Sequence, residues 1–229
     1  ITMTNIVSTD LMAGRPERTV PVILLVLVLG ALIGSTTGLL VARTNIHPMV
    51  MTFAMGSIVR GGYLLYSGGA PKGRVSPFVR LIGSESLGPI PVSLIFYAVV
   101  ILLVLFLFQR TRWGHSVHYL GGNLTAAKYT GVPVTSRLMF TYGFSSVMAV
   151  IAGLVLSGYI GIGNFDVGGD QYMLNSIASG VVGGSTFIGI GNVAGGALGA
   201  LIITVISSVM TFFGIAETGK LVMRGAIII

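Results

Sequence analysis

The stretch VPVILLVLVLGALIGSTTGLLVA, Val20 to Ala42, carries no charged side chain. It is longer than the ~20 apolar residues that an α-helix needs to cross the hydrocarbon of a bilayer. In lipid the backbone must pair with itself, and a helix does this within one segment. The reading is therefore a membrane-spanning helix. Pro89 to Phe108, Leu138 to Ile162 and Val193 to Phe213 repeat the pattern, each without a charge. Ile46 to Tyr66 is a fifth candidate, interrupted by Pro48, Arg60 and the Gly61-Gly62 pair. Met173 to Ile188 is shorter, rich in Gly and Ser, and reads as a short, broken or re-entrant span. The expected fold is all-α: a polytopic integral membrane helical bundle with Gly-rich, closely packed and broken or re-entrant helices. It forms a single transmembrane domain over 1–229. Portions of two more helices are expected before Ala13 and after Gly219, which gives both ends the look of truncated helices.

Composition agrees. Hydrophobic residues make up 53% of the 229 and charged residues 8%, against about 25% charged in soluble domains. So few charges cannot cover a soluble globule, and disorder, which needs low hydrophobicity and high charge, falls with it. The chain has no cysteine, hence no disulfide framework, thiolate metal site or Cys nucleophile. The net charge of +7 reads as loop bias of a membrane protein, and nucleic acid is not an expected partner. Under an alternating topology Arg43, Arg110, Arg112, Lys128 and Arg137 lie on one side. Arg15, Arg18, Lys72, Arg74 and Arg80 lie on the other, so the positive-inside rule is tied.

Glycine spacing says more. Gly30, Gly34 and Gly38 form one G-xxx-G-xxx-G row and Gly191, Gly195 and Gly199 another, while Ser176, Gly180 and Gly184 make a third row of small residues. At helical pitch each row is a smooth stripe against which a neighbouring membrane helix can close.

Catalytic and cofactor motifs fail on inspection. Gly214 to Leu221 nearly spells a phosphate-binding G-xxxx-G-K-[ST], but Leu221 stands where a hydroxyl would hold magnesium and no βα unit surrounds it. Val167-Gly168-Gly169-Asp170 lacks the first glycine of an aspartyl G-x-G-D site. His47, His115 and His118 have no carboxylates that complete a metal set. No catalytic residue, cofactor or metal ligand is expected. Arg60, charged within a candidate span at a cost of roughly 2.5–3.5 kcal/mol on insertion scales, is a candidate pathway or gate residue. The alternative is a structural residue bonded to helix-end carbonyls where the Gly61-Gly62 pair stops the helix.

The longest polar connector is 109–137. Within it Asn123 is a good N-cap, Leu124 to Thr130 would form about two helical turns, and Gly131 and Pro133 stop them. Ala126 and Ala127 then make a small knob suited to a partner's groove. The segment TRWGHSVHYLGGNLTAAKYTGV, Thr111 to Val132, resembles the cytoplasmic coupling loop of permease subunits of bacterial ABC importers in the ribose and branched-chain amino-acid group. GLLVARTNIHPMVMTFAMGSIVRGGYLLYSGG (38–69) and YMLNSIASGVVGGSTFIGIGNVAGGALGALI (172–202) extend the likeness to nearly the whole chain. The pattern departs from the family at Met173-Leu174-Asn175, at Gly189 to Asn192 and at Tyr119.

The resemblance implies a multi-pass permease of the bacterial plasma (inner) membrane, embedded in lipid, that moves a ribose-like monosaccharide. It implies cytoplasmic ATPase subunits, a second permease copy in a homo- or pseudo-dimer, and a periplasmic or lipid-anchored substrate-binding protein. Gly121, Gly122, Asn123, Ala126, Ala127 and Gly131 become the ATPase-coupling residues, and Asn175 joins Arg60 as a candidate pathway residue. A permease for nucleosides or branched-chain amino acids is the alternative within the class. A secondary transporter or channel lies outside it, disfavoured because no acidic residue falls inside a confident span.

Overall fold

The computed structural model of the chain describes residues 1–44, 46–122, 127, 129, 131, 133–185 and 191–228, without the side chain of Asp170. The helices are α1 (Thr2–Met12), α2 (Thr19–Arg43), α3 (Pro48–Ser67), α4 (Pro77–Ser84), α5 (Val92–Arg110) and α6 (Arg112–Gly122). They continue with α7 (Val134–Ile160), α8 (Asp170–Val182), α9 (Val193–Phe212) and α10 (Glu217–Ile228). A 3-10 turn (Pro16–Arg18) leads into α2, and the two-residue strands Ser86–Leu87 and Ile90–Pro91 pair antiparallel before α5. The fold is that of an all-α polytopic membrane protein.

Among the described residues four helical segments are long and apolar enough to cross a membrane: Pro16–Arg43, Val92–Arg110, Val134–Ile160 and Val193–Phe212. The other two expected spans differ. α8 has only 13 residues, about 20 Å at 1.5 Å per residue, too short for the hydrocarbon. α3 is helical throughout, but Arg60 and several small or polar residues keep it out of that set. Pro48 does not interrupt α3; it occupies the first turn, where its missing N–H costs nothing. The His47 side chain caps the helix by accepting from Met49 N at 3.4 Å.

The contacts group into two compact units. The first comprises Ile1–Tyr97 and Pro133–Val167. Its centre is the antiparallel pair α2 and α7. A Cβ on Gly30 would collide with the Val150 side chain. One on Gly34 would lie 2.6 Å from Ser146 Cβ, and one on Gly38 would lie 2.7 Å from the Leu138 carbonyl. From Gly30 to Gly38 along α2 the partners thus run backwards along α7 from Val150 to Leu138. Val20, Leu24, Val28 and Leu32 lie on the opposite, exposed side of α2. A membrane interior welcomes that surface; water would not.

The short helix α1 closes this unit. Thr4, Asn5, Ser8 and Thr9 are all fully buried, so their polar atoms need partners. Asn5 Nδ2 donates to Ser157 Oγ at 2.9 Å and to the Ile162 carbonyl at 3.3 Å, and Asn5 Oδ1 accepts from Asn164 N at 2.7 Å. Gly83 and Gly158 bring α4 against α7, where a Cβ on either would meet the other helix's backbone. Met12, Val22, Val26, Val75, Val79, Val150 and Leu154 form the apolar core between these contacts.

The second unit comprises Ala98–Val132 and Gly168–Ile229. It holds most of α5, with α6, α8, α9 and α10.

Candidate functional site

Two helices of the second unit carry matching polar faces. α8 bears Tyr172, Asn175, Ser176 and Ser179, and α9 bears Thr204, Ser207, Ser208 and Thr211. Both sets run i, i+3, i+4, i+7, so each forms one stripe at helical pitch. A different face of α9 carries exposed Leu198, Leu201, Ile202, Val205 and Val209. Burying free hydroxyls in hydrocarbon is costly, so the apolar face suits lipid and the hydroxyl face suits protein or a polar ligand.

Glycine sets how the helices meet. A Cβ on Gly195 would collide with the Gly183 carbonyl, and one on Gly199 with the Ser179 carbonyl. The backbones touch at this end. Towards Tyr172 and Thr211 larger side chains intervene, and a cavity of about 460 Å³ opens. The eight stripe residues line it together with Ala200, Ile203 and Arg224 of α10.

Arg224 is 4% exposed. Its Nη1 donates to Glu217 Oε1 at 2.9 Å, while Lys220 Nζ bonds the other oxygen at 3.1 Å. The Lys220 hydrogen bond, with Arg224 adding to it, holds the Glu217 carboxyl below the ordinary carboxylate range. Among the described residues Arg224 Nε, Asn175 Oδ1 and Ser207 Oγ are buried without a hydrogen-bond partner. Several neighbouring hydroxyls have spent their protons on their own helix. Thr204 donates to the Ala200 carbonyl, Ser208 to that of Thr204, Thr211 to that of Ser207, and Ser179 to that of Ser176. Their lone pairs remain available as acceptors.

Of the two candidate pathway residues, Asn175 lies in this cavity and Arg60 does not. Arg60 belongs to the first unit, is exposed, and makes no hydrogen bond or ion pair among the described residues. Nor does the Gly61-Gly62 pair end the helix. α3 continues to Ser67, and nothing lies near where either Cβ would stand. The helix-end reading of Arg60 is thereby corrected.

Two glycine rows also change. Gly180 has nothing within 4 Å of a Cβ, and Gly184 sits beyond α8 at φ +79°. The stripe is therefore not a packing row; Gly183, outside it, makes the contact. Gly191 precedes α9 and faces the Ser185 side chain, leaving Gly195 and Gly199 as the helical pair.

The 109–137 segment is more helical than its polarity suggested. Thr111 Oγ1 accepts from Gly114 N at 3.1 Å and starts α6. Trp113 packs edge-on against Phe108 with ring centres 5.0 Å apart. A Cβ on Gly114 would strike the Phe108 backbone, so glycine permits the tight turn between α5 and α6. Gly121 and Gly122 end α6. Asn123 and Ala126 lie outside the described residues. Ala127 is 3% exposed, which corrects its reading as a protruding knob: its methyl points into this chain. Among the described residues of the segment, Tyr129 is 88% exposed and Gly131 stands at φ +79° with open space around it.

The family described as branched-chain amino acid transport system / permease component matches residues 2–229. The chain belongs to that permease family. It is 37% identical over 216 residues to the galactose/methyl galactoside import permease protein MglC of Escherichia coli (strain K12), covering 91% of this chain and 64% of that protein. It is 34% identical over 206 residues to the D-allose transport system permease protein AlsC of the same strain, covering 89% and 62%. The ribose import permease protein RbsC of that strain is 26% identical over 208 residues, with 89% and 64% covered. The permease chain thus spans under two thirds of the length of these relatives. No solved structure matches it. Family and apolar helices together make it a multi-pass protein of the bacterial inner membrane.

The cavity was only partly visible in the sequence. Asn175 was singled out, but Arg224 and the α9 hydroxyls were not. Averaged hydropathy hid Thr204, Ser207, Ser208 and Thr211 inside an apolar run; their i, i+3, i+4, i+7 spacing was the signal. Arg224, lone within Leu221 to Ile229, was another.

Proposed function

We propose that this chain is the membrane subunit of an ATP-driven importer that carries a monosaccharide across the inner membrane. The chain itself performs no chemistry. Two ATPase subunits hydrolyse ATP in the cytoplasm, a second permease copy completes the path, and a substrate-binding protein delivers the sugar from outside. The observation that carries this reading is the family match along the chain, with sugar import permeases as named relatives. Those names span galactose, allose and ribose, so the ribose-like substrate of the sequence reading widens to a neutral aldose.

The 109–137 segment couples the two activities. An ATPase drives transport only by binding two states of the permease unequally, so it must grip something that moves with the path. Tyr129 and Gly131 offer that grip. Tyr129→Ala and Gly131→Arg should leave the permease inserted, yet abolish ATPase pull-down and uptake of radiolabelled sugar together. If both variants keep both properties at wild-type levels, the coupling assignment is wrong. If the reconstituted wild-type complex takes up none of D-galactose, D-allose and D-ribose, the sugar-importer reading fails.

A further inference from the structure

We infer that the corner between α5 and α6 binds the headgroup of an anionic phospholipid, with Arg110 and Arg112 on its phosphate and Tyr119 beside them. The inference uses the membrane placement of the chain and goes beyond the importer reading, which assigns no lipid.

α5 sets the depth of the corner. Its 19 residues make about 28 Å of helix at 1.5 Å per residue, close to the ~30 Å hydrocarbon core of a bilayer. No residue of α5 is buried, and Ala98 to Phe108 is apolar without a break, so every side of that stretch suits lipid. Arg110 ends α5 and Arg112 starts α6. Both therefore stand at headgroup depth.

α6 is held firmly at this point. Phe108 meets Trp113 edge-on with ring centres 5.0 Å apart and His118 with centres 6.2 Å apart. His115 Nδ1 lies 2.8 Å from the Thr111 carbonyl, which ties a further ring to the turn. Arg112, His115 and Tyr119 then share one exposed stripe at i, i+3, i+7, while Gly114, Ser116 and Leu120 are buried.

Charge selects the ligand. Arg110 and Arg112 are exposed, and neither joins an ion pair among the described residues. No Asp or Glu occurs between Glu85 and Asp166, so the adjoining chain offers no counter-charge. Guanidinium groups bind phosphate through two parallel hydrogen bonds. At this depth the abundant phosphate is that of a lipid, and an anionic headgroup keeps the net negative charge that a zwitterionic one lacks.

Trp113, the chain's only tryptophan, gives the test. The permease is placed in phosphatidylcholine vesicles that contain increasing amounts of brominated phosphatidylglycerol or brominated phosphatidylcholine. Both brominated lipids should quench Trp113, and phosphatidylglycerol should be preferred by about fivefold for each arginine near the surface. Arg110→Gln combined with Arg112→Gln should bring the two lipids level, whereas Arg112→Lys, which keeps the charge, should retain most of the preference. Equal quenching by the two lipids in the wild type overturns the inference, as does an unchanged preference in the double glutamine variant. Absence of quenching by either lipid would place Trp113 against protein and also overturn it. A preference erased by added inorganic phosphate would make the ligand a free anion instead of a lipid. Sugar uptake plays no part in this measurement, so the lipid site and the importer reading fail independently.

Discussion

Asn5 and Ser157, 152 positions apart, share a buried 2.9 Å hydrogen bond that fastens α1 to the end of α7. Asn5 also holds the Ile162 carbonyl and Asn164 N. One side chain thus satisfies three groups at a point where the chain leaves a spanning helix. Asn5→Leu keeps the branched shape, adds bulk at a fully buried site and removes all three bonds. Ser157 keeps its bond to the Gly153 carbonyl, while a buried group left without a partner costs about 1–3 kcal/mol before relaxation. We expect folded protein in the membrane to fall sharply, while Thr36→Val, on an exposed hydroxyl of α2, changes little. Abundance of detergent-soluble monomer checks this; equal recovery of the two variants would show that the network adds nothing.

The same methyl group should act oppositely at two glycines. At Gly34 it would lie 2.6 Å from Ser146 Cβ and 2.8 Å from Gly143 Cα, and such overpacking costs about 1–3 kcal/mol. At Gly180, in the last turn of α8, it meets nothing within 4 Å and gains up to about 0.5–1 kcal/mol by stiffening the helix. Thermal unfolding by circular dichroism should rank Gly180→Ala above wild type and Gly34→Ala below. The reverse order would contradict the packing described for α2 and α7.

Topology is open to impermeant thiol labelling. The importer reading puts 109–137 in the cytoplasm, so the His118→Cys variant should label only after permeabilisation and Ala70→Cys in intact cells. Both native positions are exposed. Ser76, in the same outer loop, is fully buried and would be silent on either side. Labelling of His118→Cys alone in intact cells inverts the orientation and removes the coupling role with it.

Acid should loosen α10. Glu217 has its pKa lowered in the fold by Lys220 and Arg224. Its contribution is therefore complete above the ordinary carboxylate pKa and lost as pH falls through the lower, folded value. With Glu217 half exposed, the effect is modest and shrinks in salt. Melting curves of the wild type should shift down in acid, and Glu217→Gln should show a smaller shift from an already lowered start. Identical acid shifts in both would place the sensitivity elsewhere.

Long uncharged runs were enough to read the membrane helices from the chain alone. In hydrocarbon a backbone has no partner except itself, so length and apolarity dictate α2, α5, α7 and α9 before any contact is known. The family likeness was equally local, carried by short motifs such as Thr111 to Gly114. What the sequence could not say is which helical face meets another. Gly34 and Gly180 sit in look-alike rows, yet one is pressed against a neighbouring backbone and the other faces open space. Ala127 looked like a free knob and is buried. The hydroxyls of α9 were invisible to averaged hydropathy and became a site only because Gly183, Gly195 and Gly199 draw α8 against α9 at one end, leaving a polar cavity with Arg224 towards the other. Helical pitch fixes which residues share a face. Only the packing of distant segments, through close contacts at van der Waals range, chooses the surface that face will meet.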